Sequence, residues 1–169
     1  CETCAAIASI MFSWRMLMIT GEAKYADLME RTLYNGFLAG LSLDGQRYIY
    51  ANPLQVREGH TARGDDHDYQ RVEWFHCACC PPNVMRILAS LQHYVLLNGD
   101  ARAVLHQYMT GRYAAAVAGG EVRLDVTTDY PWDGTVTIRL AGARAGPWEL
   151  ALRVPHWAER PMLTVNGTA

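Results

Sequence analysis

The apolar residues of this chain change period once along its length, and that change limits the fold to helices first and strands after. Over residues 2–20 they run nearly all round a helix (Ile7, Ile10, Met11, Trp14, Leu17, Met18) until Gly21 supplies a stop, which predicts a buried helix. Residues 23–41 place Tyr25, Leu28, Met29, Leu33, Phe37 and Leu38 on one stripe with charges opposite. That spacing predicts an amphipathic helix antiparallel to the first, closing a helical hairpin. After Pro81-Pro82, residues 83–97 repeat the pattern with Val84, Ile87, Leu88, Leu91 and Val95, and Asn98-Gly99-Asp100 ends it. Beyond about residue 101 the chain becomes short alternating runs at 104–109, 113–117, 121–128, 135–140 and 148–154, separated by turns. Alternation of this kind predicts antiparallel sheet, most simply a β-sandwich or part of one. The chain therefore reads as an α+β multidomain protein, with helical residues 1–100 and β residues 101–169.

Between the second and third helical segments, Asp44-Gly45 is a turn signal, and residues 46–51 alternate like a short strand that Asn52-Pro53 ends. Residues 56–70 are polar, without period, and rich in Gly, Asp, His and Arg. A long loop in a compact domain is often functional. Its Asp65, Asp66, His67 and Asp68 include metal-ligating types, but in a glycine-containing polar loop they read as a solvated charge run and are assigned no site.

Of the 169 residues 50% are hydrophobic, enough core for one domain or one and a half. A formal net charge of -2, with no run of basic residues among aromatics, leaves nothing to neutralise phosphates and excludes nucleic acid as a partner. Arg15 interrupts the best apolar run, 5–19, short of the roughly 18–20 residues that cross a bilayer, so no membrane insertion is expected. Partners should be small and neutral.

All five cysteines fall in two places: Cys1 and Cys4 in Cys1-Glu2-Thr3-Cys4, and Cys77, Cys79 and Cys80 in His76-Cys77-Ala78-Cys79-Cys80-Pro81-Pro82-Asn83. An odd count with two adjacent is a poor disulfide framework and suits a reducing compartment or a metal site, with the cytoplasm as default location. Soft thiolates beside a carboxylate and a histidine are what zinc selects, and an activated thiolate is also a strong nucleophile. The spacing is not that of a zinc finger or ribbon, so the fold must join the clusters, as in an enzyme site. Buried cysteines acting as small hydrophobes are common singly, yet hard to credit for three within four positions. On an ideal helix Cys1 and Cys4 share a face while Glu2 and Cys4 do not. Spacing alone thus selects Cys1 with Cys4, unless this segment is a loop or an irregular helix start. A turn before Pro81-Pro82 could aim both Cys79 and Cys80 at one ion. Thiol–disulfide exchange through Cys1-x-x-Cys4 lacks the βαβ context such motifs need.

Four motifs occur in order: Cys1-Glu2-Thr3-Cys4-Ala5, Glu30-Arg31-Thr32-Leu33-Tyr34-Asn35-Gly36, Tyr48-Ile49-Tyr50-Ala51-Asn52-Pro53-Leu54 and Cys79-Cys80-Pro81-Pro82-Asn83. Together they resemble the β-L-arabinofuranosidase family, glycoside hydrolase family 127. Thr127-Thr128-Asp129-Tyr130-Pro131-Trp132-Asp133-Gly134, Leu152-Arg153-Val154-Pro155-His156-Trp157-Ala158 and Val165-Asn166-Gly167 resemble that family's β-sandwich domain. The resemblance spans essentially the whole chain.

It implies part of an (α/α)6 barrel followed by an antiparallel β-sandwich segment, with Zn2+ bound by Glu2, Cys4, Cys79 and Cys80. Cys79 would also be the nucleophile of a retaining glycosidase that releases β-L-arabinofuranose or a related sugar. Glu30 and Tyr50 resemble family residues that line the sugar pocket, and His76 would contact substrate or orient a ligand. The readings that compete are a solvated helix carboxylate for Glu30, a half-buried strand aromatic for Tyr50 and a packed histidine for His76. A histidine would suit position 77 as a sugar contact; Cys77 stands there as a spare thiol. In the family the acid/base glutamate precedes the Cys-Glu-Thr-Cys motif. The chain opens at that motif without an initiator Met, so a fragment that is inactive alone is expected. The partners expected are a carbohydrate substrate and, as a further candidate, a second copy in a homodimer. The runner-up function is a noncatalytic carbohydrate-binding or zinc-stabilised structural protein.

Overall fold

The computed structural model describes residues 2–53, 55, 57–59, 70–143 and 146–168. Cys1 and the loop residues Asp65, Asp66, His67 and Asp68 lie outside the described residues. The chain divides into two compact units, Cys1–His93 and Tyr94–Ala169.

The first unit is built on α1 (Thr3–Thr20), which ends where Gly21 takes a left-handed φ of 69° and donates its N–H to the Leu17 carbonyl at 2.8 Å. Its buried face is Thr3, Ala6, Ile7, Ile10, Ser13, Trp14 and Leu17. Burial is thus one-sided: Phe12 and Ile19 are well exposed, and Met11 and Met18, expected inside, are also exposed. By length and composition alone this helix would suffice to cross a membrane, which the interruption at Arg15 did not suggest. Its buried stripe instead packs on the other helical segments of the unit, as a core helix does.

α2 (Ala23–Arg31) continues into a π-helical stretch, Thr32–Phe37, and a 3-10 turn, Leu38–Gly40. One helix was expected across all three. The hydrogen-bond ladder widens where Asn35 Nδ2 donates to the Arg31 carbonyl at 2.8 Å, the acceptor its own backbone N–H would take in an α-helix. The buried face is Ala26, Met29, Glu30, Leu33 and Phe37, rotated from the predicted stripe so that Leu28 and Leu38 are exposed. Small residues set that rotation, because Ala26 is fully buried and a Cβ at Gly36 would stand 3.2 Å from Ala6 Cβ.

The expected strand at 46–51 is reduced to single antiparallel bridges, Leu41 with Tyr48, Tyr48 with Val72 and Glu2 with Ala51. The turn before it forms, with Gly45 at φ 71° donating to the Ser42 carbonyl at 2.9 Å. α3 (Cys80–Ser90) starts before residue 83 because proline is tolerated in the first helical turn, where N–H groups lack intrahelical acceptors. It also ends early, in a 3-10 turn, Leu91–Tyr94, and the last apolar residues predicted for it enter a strand instead.

The second unit has β1 (Leu96–Asn98), β2 (Arg102–Leu105), β3 (Gly111–Val117), β4 (Gly120–Thr128), β5 (Val136–Ala143) and β6 (Glu149–Leu152). They form two three-stranded sheets, ordered β1-β2-β6 and β3-β4-β5. The pairing is antiparallel except that β2 and β6 run parallel, which corrects a wholly antiparallel expectation. Ala115, Val117, Val122, Leu124 and Val126 alternate inward along β3 and β4 and share one core with Val95, Ala103, Leu105 and Tyr108. β2 stops at Leu105 because His106 and Gln107 both donate to the Val95 carbonyl. Buried Arg153 then donates from Nε to the His106 carbonyl at 2.5 Å.

Candidate functional site

The first unit gathers a set of metal-donor atoms at two helix starts. Glu2 is the N-cap of α1, in extended conformation (φ -99°, ψ 145°), while Cys4 lies inside the helix. That break lets the two side chains converge, which an unbroken helix would forbid. A chain of bonds holds it in place: Thr3 N–H donates to the Tyr50 carbonyl at 3.1 Å and Thr3 Oγ1 to the Ile49 carbonyl at 2.7 Å. Ile49 N–H in turn donates to the Gly40 carbonyl at 2.9 Å. A Cβ at position 40 would lie 2.8 Å from Thr3 Oγ1, so any residue larger than glycine must displace the Thr3 side chain.

The second donor pair sits at the start of α3, with Cys79 as N-cap and Cys80 in the first turn. Cys79 N–H donates to the Cys77 carbonyl at 2.8 Å, so a tight turn delivers both sulfurs to one side. The donor atoms of Glu2, Cys4, Cys79 and Cys80 all lie within 4.8 Å of one another. Cys4 Sγ is 3.6 Å from Cys80 Sγ, Cys79 Sγ is 3.8 Å from Cys80 Sγ, and Cys79 Sγ is 3.6 Å from Glu2 Oε1. A tetrahedral ion with bonds of about 2.3 Å to sulfur and about 2.1 Å to oxygen needs edges of about 3.8 Å and about 3.6 Å. The cluster could hold a metal ion, and its donor set and spacings fit one.

The electrostatics agree. Burial, then the adjacent Cys4, pushes the Cys79 thiol up to about 11, and the same two causes push Cys80 well above the usual thiol range. The charge of Glu2, then that of Cys79, raises the Tyr50 phenol to about 12. Groups that suppress one another's ionisation in this way become a coherent anionic donor set once a divalent cation stands among them.

Tyr50 is thereby placed beside the cluster, its ring edge-on to Phe75 at 5.7 Å between centroids. His76 and Cys77 are exposed in the bend before α3. Glu30 is buried near the end of α2, not solvated on the helix surface, and is not one of the cluster's donors. The motif readings did not single out Asn83 or Arg86. Asn83 Nδ2 donates to Cys4 Sγ at 3.0 Å, and Arg86 Nη1 donates to Asn83 Oδ1 at 2.6 Å. The signal was available: Asn83 follows Cys80 by one helical turn, and Arg86 follows Asn83 by another.

Residues 1–93 match the family described as "Beta-L-arabinofuranosidase, GH127 catalytic domain", and residues 102–169 match "Beta-L-arabinofuranosidase, GH127 middle domain". A non-reducing end β-L-arabinofuranosidase of Bifidobacterium longum subsp. longum is 39% identical over 98% of the chain and 26% of its own length. The crystal structure of a GH127 β-L-arabinofuranosidase from Geobacillus stearothermophilus T6 superposes with a TM-score of 0.89 at 40% identity, over 99% of this chain and 27% of that one. A second GH127 β-arabinofuranosidase superposes with a TM-score of 0.77 at 37% identity, over 93% of this chain and 23% of that one. The chain thus spans about a quarter of the length of the relatives it matches. With both of its units matched in family order, the chain belongs to glycoside hydrolase family 127, the β-L-arabinofuranosidase family.

Proposed function

We propose that the intact protein is a retaining, zinc-dependent glycosidase with Cys79 as nucleophile, releasing β-L-arabinofuranose or a related sugar from glycans. The observation that carries this is the convergence of Glu2, Cys4, Cys79 and Cys80 in a member of this family, with Cys79 half-buried and Cys80 fully buried. Cys80 has no surface to offer a sugar. The zinc would be held by Glu2, Cys4, Cys79 and Cys80, and when bound it supplies a positive charge that keeps sulfur anionic at neutral pH.

Cys79 Sγ attacks the anomeric carbon as the bond to the leaving oxygen breaks, and a carboxylic acid gives that oxygen its proton. The resulting carboxylate then takes a proton from water, whose oxygen attacks the same carbon. The carbon–sulfur bond breaks and Cys79 returns as thiolate. Two displacements give net retention. The family resemblance puts the carboxylic acid ahead of the Cys1-Glu2-Thr3-Cys4 motif, so residues 1–169 alone should bind metal without turning over substrate. Glu30, Tyr50 and His76 serve as sugar-binding groups in this reading, and the two units as the later part of an (α/α)6 barrel and a partial β-sandwich.

The test is a screen of the intact protein against aryl furanosides and pyranosides of several sugars, with metal analysis alongside. A β-L-arabinofuranoside should be cleaved, about one equivalent of zinc should be bound, and Cys79→Ser should abolish hydrolysis while the fold stays intact. Full activity in metal-free protein or in Cys79→Ser would overturn the proposal.

A further inference from the structure

Three thiolates and one carboxylate around a dication leave an excess of negative charge, which partly buried surroundings penalise unless hydrogen-bond donors offset it. Asn83 supplies such a donor to Cys4 Sγ at 3.0 Å. The orientation of its amide is set from the other side, because Arg86 Nη1 donates to Oδ1 at 2.6 Å and so turns Nδ2 toward the sulfur. Arg86 is exposed, Asn83 is half-buried, and both stand on α3, the helix whose start carries Cys79 and Cys80.

We propose that Asn83, oriented by Arg86, is a positioning residue that holds Cys4 as a spectator ligand and leaves Cys79 as the sulfur that reacts. A thiolate accepting an N–H bond has its lone pair stabilised and is a weaker nucleophile and a weaker electron donor to a metal. Cys80 is withdrawn by burial. Cys79 is only half-buried, and among the described residues its sulfur's side-chain neighbours are Glu2, Cys4 and Cys80, none of which brings it an N–H. Among the described residues the Arg86 hydrogen bond toward the centre goes to the Asn83 amide, so the two residues act in series.

This inference rests on the metal-centre reading, and the test separates the two. The intact protein is loaded with Co2+, its thiolate-to-cobalt absorption is recorded, and its affinity is measured by chelator competition. Wild-type protein should show the charge-transfer band; its absence would overturn the metal centre itself and this proposal with it. Asn83→Asp keeps the shape but loses the donor. It should move the band to lower energy, because the sulfur lone pair is no longer stabilised, and weaken metal binding by about 10–100-fold, because the excess negative charge of the site is no longer offset and the carboxylate adds to it. Arg86→Ala should act in the same direction in the wild-type background and have no further effect on affinity in an Asn83→Ala background. A wild-type band and affinity in Asn83→Asp, or equal effects of Arg86→Ala in both backgrounds, would overturn the proposal while leaving the metal centre standing. Urea unfolding of each variant identifies any that fail to fold, and Asn83→Asp decides in that case.

Discussion

The sulfurs of Cys4 and Cys80 stand 3.6 Å apart although 76 positions separate them in the chain. An unfolded chain cannot hold them so, and a metal that needs both therefore binds the folded state in preference. At free metal a thousandfold above its dissociation constant this linkage is worth about 4 kcal/mol. Removing metal with a chelator should lower the thermal midpoint of the intact protein, and adding zinc back should restore it. Cys80→Ser should abolish most of that response. A midpoint indifferent to chelator would contradict the linkage.

Gly40→Ala should damage the site from a distance. The new Cβ would stand 2.8 Å from Thr3 Oγ1, whose bond to the Ile49 carbonyl helps to fix Glu2 outside the helix. Overpacking of this kind costs about 1–3 kcal/mol. The expected result is lower stability in urea and weaker metal binding together. Reduced stability with wild-type metal affinity would show that the Thr3 clamp does not position Glu2.

Gly142→Ala should weaken the second unit instead. Gly142 has φ 121°, and a Cβ there would meet the Glu121 carbonyl oxygen at 2.4 Å. Since Gly142 pairs with Val122 and its neighbour with Glu121, the end of the β4–β5 ladder must open. A loss of about 1–3 kcal/mol is expected for forcing a side chain into this backbone region. Chemical denaturation with metal affinity as a control measures it, and affinity should be unchanged.

Much of the helical order was legible in the sequence, because Gly21 and the apolar period mark where helices run and where the first one stops, although the buried faces differ from the predicted ones. The π-helical stretch was not, since it coincides with a side-chain bond from Asn35 to the Arg31 carbonyl, which periodicity does not encode. Glu30 is buried on the same helix face as Ala26 and Met29, and the predicted stripe did not include it. Spacing alone chose Cys1 with Cys4 on the assumption that a helix runs through position 2; Cys1 lies outside the described residues, and Glu2 is extended. The extended Glu2 is fixed by its own bridge to Ala51 and by the bonds of its neighbour Thr3 to the Tyr50 and Ile49 carbonyls, far along the chain. The parallel pairing of β2 with β6 was hidden for a similar reason, since alternation tells which face is buried and not which strand lies beside which.

His106 should make the second unit sensitive to mild acid. Burial, then the charges of Arg153 and Arg102, brings its imidazole down to about 4. Unfolded, the same group titrates near about 6.5, so between those values the unfolded chain binds more protons than the folded one. The stability that depends on a neutral imidazole is complete above about pH 6.5 and is lost as pH falls toward about 4. Asp44 and Asp133, both lowered from the ordinary carboxylate value of 3.8, titrate beneath that window. Urea midpoints should therefore drop between about pH 7 and about pH 5 in wild-type protein, and His106→Gln, which keeps a neutral polar side chain, should flatten that drop. An equal drop in both proteins would assign the sensitivity to other groups. A lower midpoint at neutral pH with the slope removed would still support His106 as the titrating group, because packing loss shifts the whole curve and only the proton changes its slope.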